Sequence, residues 1–376
     1  MKKMVVLFIV WTLATALGLQ AKSFPAPAKP AAGIQLAILL DTSGSMDGLI
    51  DQARSRIWKI VNELAAARKN GRAPRLQVAL YEYGQSSIPA AQGYLRRIVP
   101  LSGDLDRVSE ELFKLRTNGG DEYCGQVIRA AASGLDWSPG SGDLKMIVIA
   151  GNEPFTQGTV DYRDACREAI RRGIIVNTIF CGDYREGLRT GWKDGADLAD
   201  GQYVAIDADN APPQVSAPQD AEIARLGREL NGTYVAFGRA GANSKKRQEE
   251  QDDLAAAVGG MVMAERAAAK AAPHYNNSSW DLVDANKSGT VKLEELRQDE
   301  LPAEMKGMSP RQRGEYVAAM QAKRDALQKK IAALNTERER FVKEQLKNRA
   351  AAGSLDGAIL RALRAQATTK GFRFGE

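Results

Sequence analysis

Leu36–Met46 reads LAILLDTSGSM, and its interpretation decides the fold. The near-continuous apolar run Ile34–Leu40 is what a strand covered on both faces requires. It ends on Asp41, followed at once by Ser43, Gly44 and Ser45. A carboxylate and two hydroxyls at the mouth of a buried strand fit an aspartic-protease half-site, a phosphoryl-transfer aspartate or a metal site. The protease needs a second Asp-Thr-Gly-like element in a β-rich partner half, and the sequence has none. The phosphoryl-transfer aspartate wants a second acid two residues on or a lysine at a later strand end, and position 43 is Ser. An ordinary capped turn is the plain alternative, since Asp and Ser commonly precede helices. The metal site gains from what lies further along the chain.

Outward from this stretch, strand and helix patterns alternate. Gly48–Lys69 places apolar residues at helical spacing, and 76–84 with 94–99 reads as a hairpin. Helices follow over Asp104–Arg116 and to about Ser133, then the strand LKMIVIAG, a helix over Asp161–Arg172 and the strand IIVNTIFCG. Two echoing segments, GADLADGQYVAID and LGRELNGTYVAFG, read as the last two helix–strand pairs. The expected fold class is α/β: a doubly wound, mostly parallel sheet with one antiparallel edge strand, followed by an α-helical C-terminal region. Such sheets bind ligands beyond the carboxyl ends of their strands, where the strand order reverses.

Three loops fall at those ends: Asp41–Ser45, Gly119-Gly120-Asp121-Glu122, and Gly151-Asn152-Glu153. Their side chains are oxygen donors without His or Cys, which suits Mg²⁺ or Mn²⁺. D-x-S-x-S closing an apolar strand, with this order of elements, resembles the von Willebrand factor type A domain over about residues 34–240. In that family the motif opens a metal-ion-dependent adhesion site. The resemblance implies that Ser43 and Ser45 bind the metal directly and that Asp41 holds it through water. It also implies a direct ligand, usually Thr, from a Gly-rich loop, and a water-mediated Asp from the fourth strand. This chain departs twice. Asp121 follows the glycines, as in some branches of the family, while Thr117 precedes them; Asn152 stands where Asp is usual. The ligand set implied is therefore Asp41, Ser43, Ser45, Asp121 and Asn152, with Thr117, Glu122 and Glu153 as neighbours. A carboxylate at 121 would already balance a divalent ion with Asp41, weakening attraction for a partner's acid and favouring a neutral oxygen.

The rest of the chain frames this site. Lys2 and Lys3 precede an apolar run to about Leu19 and small residues, so 1–21 reads as a signal peptide and 22–33 as a Pro/Ala linker. Membrane contact is expected only through a transient or uncleaved N-terminal segment, and the location is exported, periplasmic or secreted. Export permits a disulfide among Cys124, Cys166 and Cys181, with pairing open. Beyond the domain, 241–272 reads as a helical connector, 273–308 as a small acidic helical module, 309–352 as a long helix or coiled-coil arm, and 353–376 as a basic tail. From Arg311 onward 15 Lys and Arg face 7 Asp and Glu, so the tail carries the positive balance of a chain whose net charge is +6. Few aromatics accompany that charge, so nucleic acid is not an expected partner. Asp284, Asn286, Ser288, Thr290 and Glu295 have the spacing of a Ca²⁺-binding EF-hand loop. Lys287 and Lys292, the polar break at 273–279 and Pro302 argue instead for an acidic turn between short helices at Asp281–Asp284 and Val291–Arg297. The sole histidine, His274, lies outside the domain, which removes histidine-based catalysis. The expected function is metal-dependent protein binding without catalysis. The alternatives are an assembly factor whose helical arm binds while the metal only staples loops, and a hydrolase whose base would be Glu122 or Glu153.

Overall fold

The computed structural model describes residues 32–47, 50, 60–61, 63–206, 215–349 and 355–374. For 346–349 and 355–359 it describes only the backbone. The signal-peptide reading of 1–21, nearly all of the linker and most of the Gly48–Lys69 helix lie outside these residues.

The strands are β1 (Gly33–Asp41), β2 (Arg75–Tyr83), β3 (Arg96–Ser102), β4 (Leu144–Gly151), β5 (Ile174–Cys181) and β6 (Tyr203–Ile206). They form one sheet of order β3-β2-β1-β4-β5-β6. All pairings are parallel except β2–β3, the hairpin edge. β1 lies between β2 and β4, so the strand order reverses at its carboxyl end, where Asp41 sits. Alternation along β1 feeds two cores. Ile34, Leu36 and Leu40 join Val78, Leu80 and Met146 on one face, while Ala37 and Leu39 join Tyr81, Ile147 and Ile149 on the other. Helices Leu105–Lys114, Asp220–Asn231 and Gly260–Ala271 supply the first face; Cys124–Gly134 and Tyr162–Arg171 supply the second.

Four expectations need correcting. The segment Thr233–Phe237 does not become a seventh strand. Asp281 takes the Val235 N–H at 2.7 Å, and Phe237 donates to the Trp280 carbonyl at 2.9 Å, so this stretch pairs with the C-terminal module instead of the sheet. The EF-hand spacing does not form a loop. Leu282–Ser288 is a helix, Asp284 pairs with Arg324 at 2.9 Å, Ser288 bonds the carbonyl of Asp284, and Glu295 turns to Lys292. Asn286 and Thr290 are exposed, and 291–297 holds a turn where a second short helix was expected. The three cysteines are free and buried, so no disulfide forms.

The fourth correction concerns the extension, which is not a free coiled-coil arm. The helix Pro310–Arg349, about 60 Å long, lies against Asp220–Asn231 and Gly260–Ala271 and buries Leu327 and Ile331 in the main core. Arg324 reaches Asp281 at 2.7 Å and stacks 4.0 Å over Tyr234; Arg338 reaches Asp220 at 2.6 Å. Arg266 joins Asp106 at 2.7 Å to Asp252 at 2.5 Å, tying the helix Gly260–Ala271 to the domain. Helix Leu355–Thr369 then returns to the sheet. Gln366 and Asn177 of β5 exchange amide hydrogen bonds at 2.7 and 3.0 Å, and Leu363 and Phe372 enter the core. Severing one partner from such a buried ion pair costs about 3–5 kcal/mol, so the extension folds as part of the domain.

Candidate metal centre

Asp41 organises the site from the last position of β1. Its Oδ1 accepts the Ser43 N–H at 2.7 Å, which turns the chain out of the strand and into the short turn at Gly44–Met46. Thr42 points back: its N–H and hydroxyl both donate to the Tyr83 carbonyl, at 2.9 and 3.1 Å, locking the loop to the end of β2. The Ser43 and Ser45 hydroxyls then lie 2.9 Å apart, and Ser45 donates to Asn152 Oδ1 at 3.1 Å. The first and third loops thus meet through hydroxyl and amide oxygens.

The second loop is fastened to both. Asn118 N–H donates to the Thr42 carbonyl at 2.9 Å, and the Thr117 hydroxyl donates to Asp47. Gln157 accepts the Glu122 N–H at 3.1 Å and donates to Glu153 at 3.2 Å. The close fit depends on two glycines. Gly84 has a φ of +73°, and a Cβ there would stand 2.7 Å from Asp41 Oδ1 and 3.0 Å from Glu122 Cγ. A Cβ at Gly120 would stand 2.6 Å from the Gly84 carbonyl.

This packing decides which carboxylate faces inward. Asp121 is exposed and accepts from the Tyr123 hydroxyl at 3.2 Å, whereas Glu122 is buried beside Asp41 and Ser43. Asp121 was the acid expected to point in; the side chain that does so is its neighbour, because the loop's backbone is held by Gly84 and Gln157. Thr117 is spent on Asp47. Sequence reasoning also missed Gln157 and Gly84, and only the glycine carried a local signal, the turn residue closing β2.

The electrostatics are those of a crowded anionic pocket. Asp41 is wholly buried, and its Oδ2 has no hydrogen-bond partner. Burial, with the negative charge of Glu153 adding to it, raises its pKa to about 6. Burial, then the charges of Asp41 and Glu153, raises Glu122 to about 7. Among the described residues no cationic side chain pairs with Asp41, Glu122 or Glu153. Nor do three His, Cys, Asp or Glu side chains there come close enough to hold a metal by themselves. A cation at this place would therefore rest on the Ser43 and Ser45 hydroxyls as well as carboxylate oxygen, and the orphaned Asp41 Oδ2 is the atom it would satisfy. The donor set fits a hard divalent ion.

No protein-family model and no curated protein matches the chain. Among solved structures, it is similar to the conserved hypothetical protein BatB from Bacteroides thetaiotaomicron, at 18% identity over 47% of this chain and 92% of that one, TM-score 0.36. It is similar to the SpRpn10 VWA domain at 17% identity over 50% and 100%, TM-score 0.36. Proximal thread matrix protein 1 from the mussel byssus, with a zinc-occupied MIDAS motif, matches at 12% identity over 48% and 43%, TM-score 0.35. Scores of this size add nothing to the strand order and loops already described. Six strands ordered β3-β2-β1-β4-β5-β6, one antiparallel edge, and D-x-S-x-S at the point where the order reverses give the chain the fold expected from its resemblance to the von Willebrand factor type A domain.

Proposed function

We propose that the domain is a divalent-cation-dependent protein-binding module of the cell envelope, using Mg²⁺ or Mn²⁺. The observation that carries this reading is the buried Asp41 Oδ2 with no partner, set beside a second buried carboxylate, Glu122. An unpaired buried polar oxygen is costly, and a cation offsets that cost for both acids at once. Ser43 and Ser45 would hold the ion, Asp41 and Glu122 would supply the balancing charge, and Asn152 fixes the Ser45 hydroxyl. A bound divalent ion supplies an electrophilic centre that accepts one oxygen from a partner. The negative charge of Glu153 also reaches Asp41 and Glu122, so the partner offers a neutral oxygen in preference to a carboxylate. The activity is binding and not catalysis. His274 lies outside the site and is held neutral: burial, aided by Arg68, lowers it to about 4. Export rests on the N-terminal sequence pattern; among the described residues no helix is long and apolar enough to cross a membrane.

Calorimetric titration of Mg²⁺ and Mn²⁺ into the full chain tests the site. One equivalent should bind, S43A/S45A should abolish it, E122Q should weaken it at least tenfold, and D121N should leave it unchanged. Loss of binding in D121N with retention in E122Q would reverse the assignment of the loop. No binding to the wild type would end the proposal. Capture of a partner from envelope extract should then disappear with chelator.

A further inference from the structure

We propose that the sheet edge opposite the cation site is a docking face for an anionic phospholipid surface. Five cationic side chains gather there. The amines of Lys69 and Lys370 donate to consecutive carbonyls of one turn, Gly142 at 2.6 Å and Ser141 at 3.4 Å, and Lys145 donates to the Arg172 carbonyl at 2.6 Å. Arg75 opens β2, and Arg373 is held beside them by paired backbone hydrogen bonds with Arg68, both 2.7 Å. The three amines spend their hydrogen bonds on neutral carbonyls, and among the described residues none of the five lies within ion-pair distance of a carboxylate. Asp143, one of the acids at this edge, is engaged by the Gly33 N–H at 2.7 Å and the Ser138 hydroxyl at 2.5 Å, and its charge offsets part of that of Lys145. The positive charges are close enough to oppose one another: burial, then the Lys370 amine, lowers the Lys145 pKa.

Charge selects the occupant. The Ala32 carbonyl accepts the Arg75 N–H at 3.0 Å, which fixes the backbone at this basic edge. Lys and Arg side chains without carboxylate partners are drawn to anionic headgroups. Of the rings beside Arg373, Phe372 is buried beneath Lys69 and Phe374 is half-buried with Arg364 over it, which leaves little aromatic face for stacking nucleic-acid bases. β1 runs from this edge to Asp41, about 26 Å, so docking leaves the cation site facing away from the membrane.

The test is flotation of the full chain with phosphatidylcholine vesicles, with and without phosphatidylglycerol. Wild type and R75Q/K370Q/R373Q share residues 1–31, so contributions from that segment cancel. The wild type should favour anionic vesicles and lose that preference at high salt. The variant, checked for an unchanged thermal midpoint, should bind them roughly a hundredfold more weakly, at about fivefold per charge removed. If the variant melts early, R75Q and R373Q alone should each cost about fivefold. Equal wild-type binding to neutral and anionic vesicles, undiminished binding by the variants, or tighter binding to duplex DNA than to anionic vesicles would each overturn the assignment.

Discussion

Replacing Glu122 by glutamine should stabilise the cation-free protein at pH 8 while doing little at pH 4.5. Glu122 is buried against Asp41, and that environment carries its carboxyl from 4.5 to about 7. A carboxyl that holds its proton more tightly when folded contributes nothing adverse below the unfolded pKa. As pH rises from 4.5 through about 7, the folded protein must give up that proton against burial and neighbouring charge, and stability falls. The full displacement corresponds to at most about 3 kcal/mol; solvent screening on the open side of the loop leaves about 1–2 kcal/mol. The amide introduced by E122Q does not titrate, so the variant escapes the penalty. Asp41, raised to about 6, titrates in both proteins and largely cancels in the comparison. Urea unfolding with chelator at pH 4.5 and pH 8 reads the effect: the difference between variant and wild type should shift by about 1–2 kcal/mol in favour of the variant. Added Mg²⁺ should reverse the order, because it stabilises whichever protein binds it better. An unchanged difference at the two pH values would show that Glu122 is not confined with Asp41, and the assignment of this loop would fail.

Arg324→Met should lower stability by about 3–5 kcal/mol in urea melts, since it strands Asp281 and Asp284, and adding D281N and D284N should recover part of the loss. A wild-type midpoint would mean that the long helix is not fastened to the domain. Phe372→Ala should cost about 3–5 kcal/mol by thermal unfolding, as expected of a wholly buried ring near the C-terminus, and a loss under about 1 kcal/mol would mean that the tail is not core. Cys124, Cys166 and Cys181 should resist iodoacetamide in the folded protein and all react in urea, as intact mass will show. Burial raises Cys166 to about 12 and Cys124 well above the ordinary thiol range.

The sheet was legible because its signals are local. An apolar run of strand length closing on D-x-S-x-S fixes β1 and the residues at its end without reference to the rest of the chain. Where reading failed, a distant side chain had overridden a local pattern. YVAFG has strand composition, but Asp281, 46 residues away, claims the Val235 N–H. The calcium-loop spacing is intact, yet Arg324, 40 residues on, pairs with its first acid and a helix runs through its first half. The choice between Asp121 and Glu122 had no local signal at all: the segment is irregular, adjacent side chains diverge, and the decision falls to Gln157, 35 residues on. The basic composition of the last residues concealed Leu363, Ala367 and Phe372, which bury one face of a helix and its turn.

On the proposed reading, the bonds among the three loops favour a binding role for the cation over a stapling one. A staple is needed where segments have nothing else to hold them. Here Asn118 reaches Thr42, Gln157 bridges Glu122 to Glu153, Ser45 reaches Asn152 and Thr117 reaches Asp47, all without an ion. What those bonds leave unanswered is charge. Asp41 and Glu122 are positioned by the fold and, among the described residues, held without cationic partners, at a burial that raises their pKa values. Fixing carboxylates at that cost goes beyond loop geometry: Asp41 Oδ1 turns the chain at Ser43, but Asp41 Oδ2 secures none of these bonds. It makes sense where the cation they attract is presented at the rim for a second molecule to reach, and this favours binding over stapling as the role of the site.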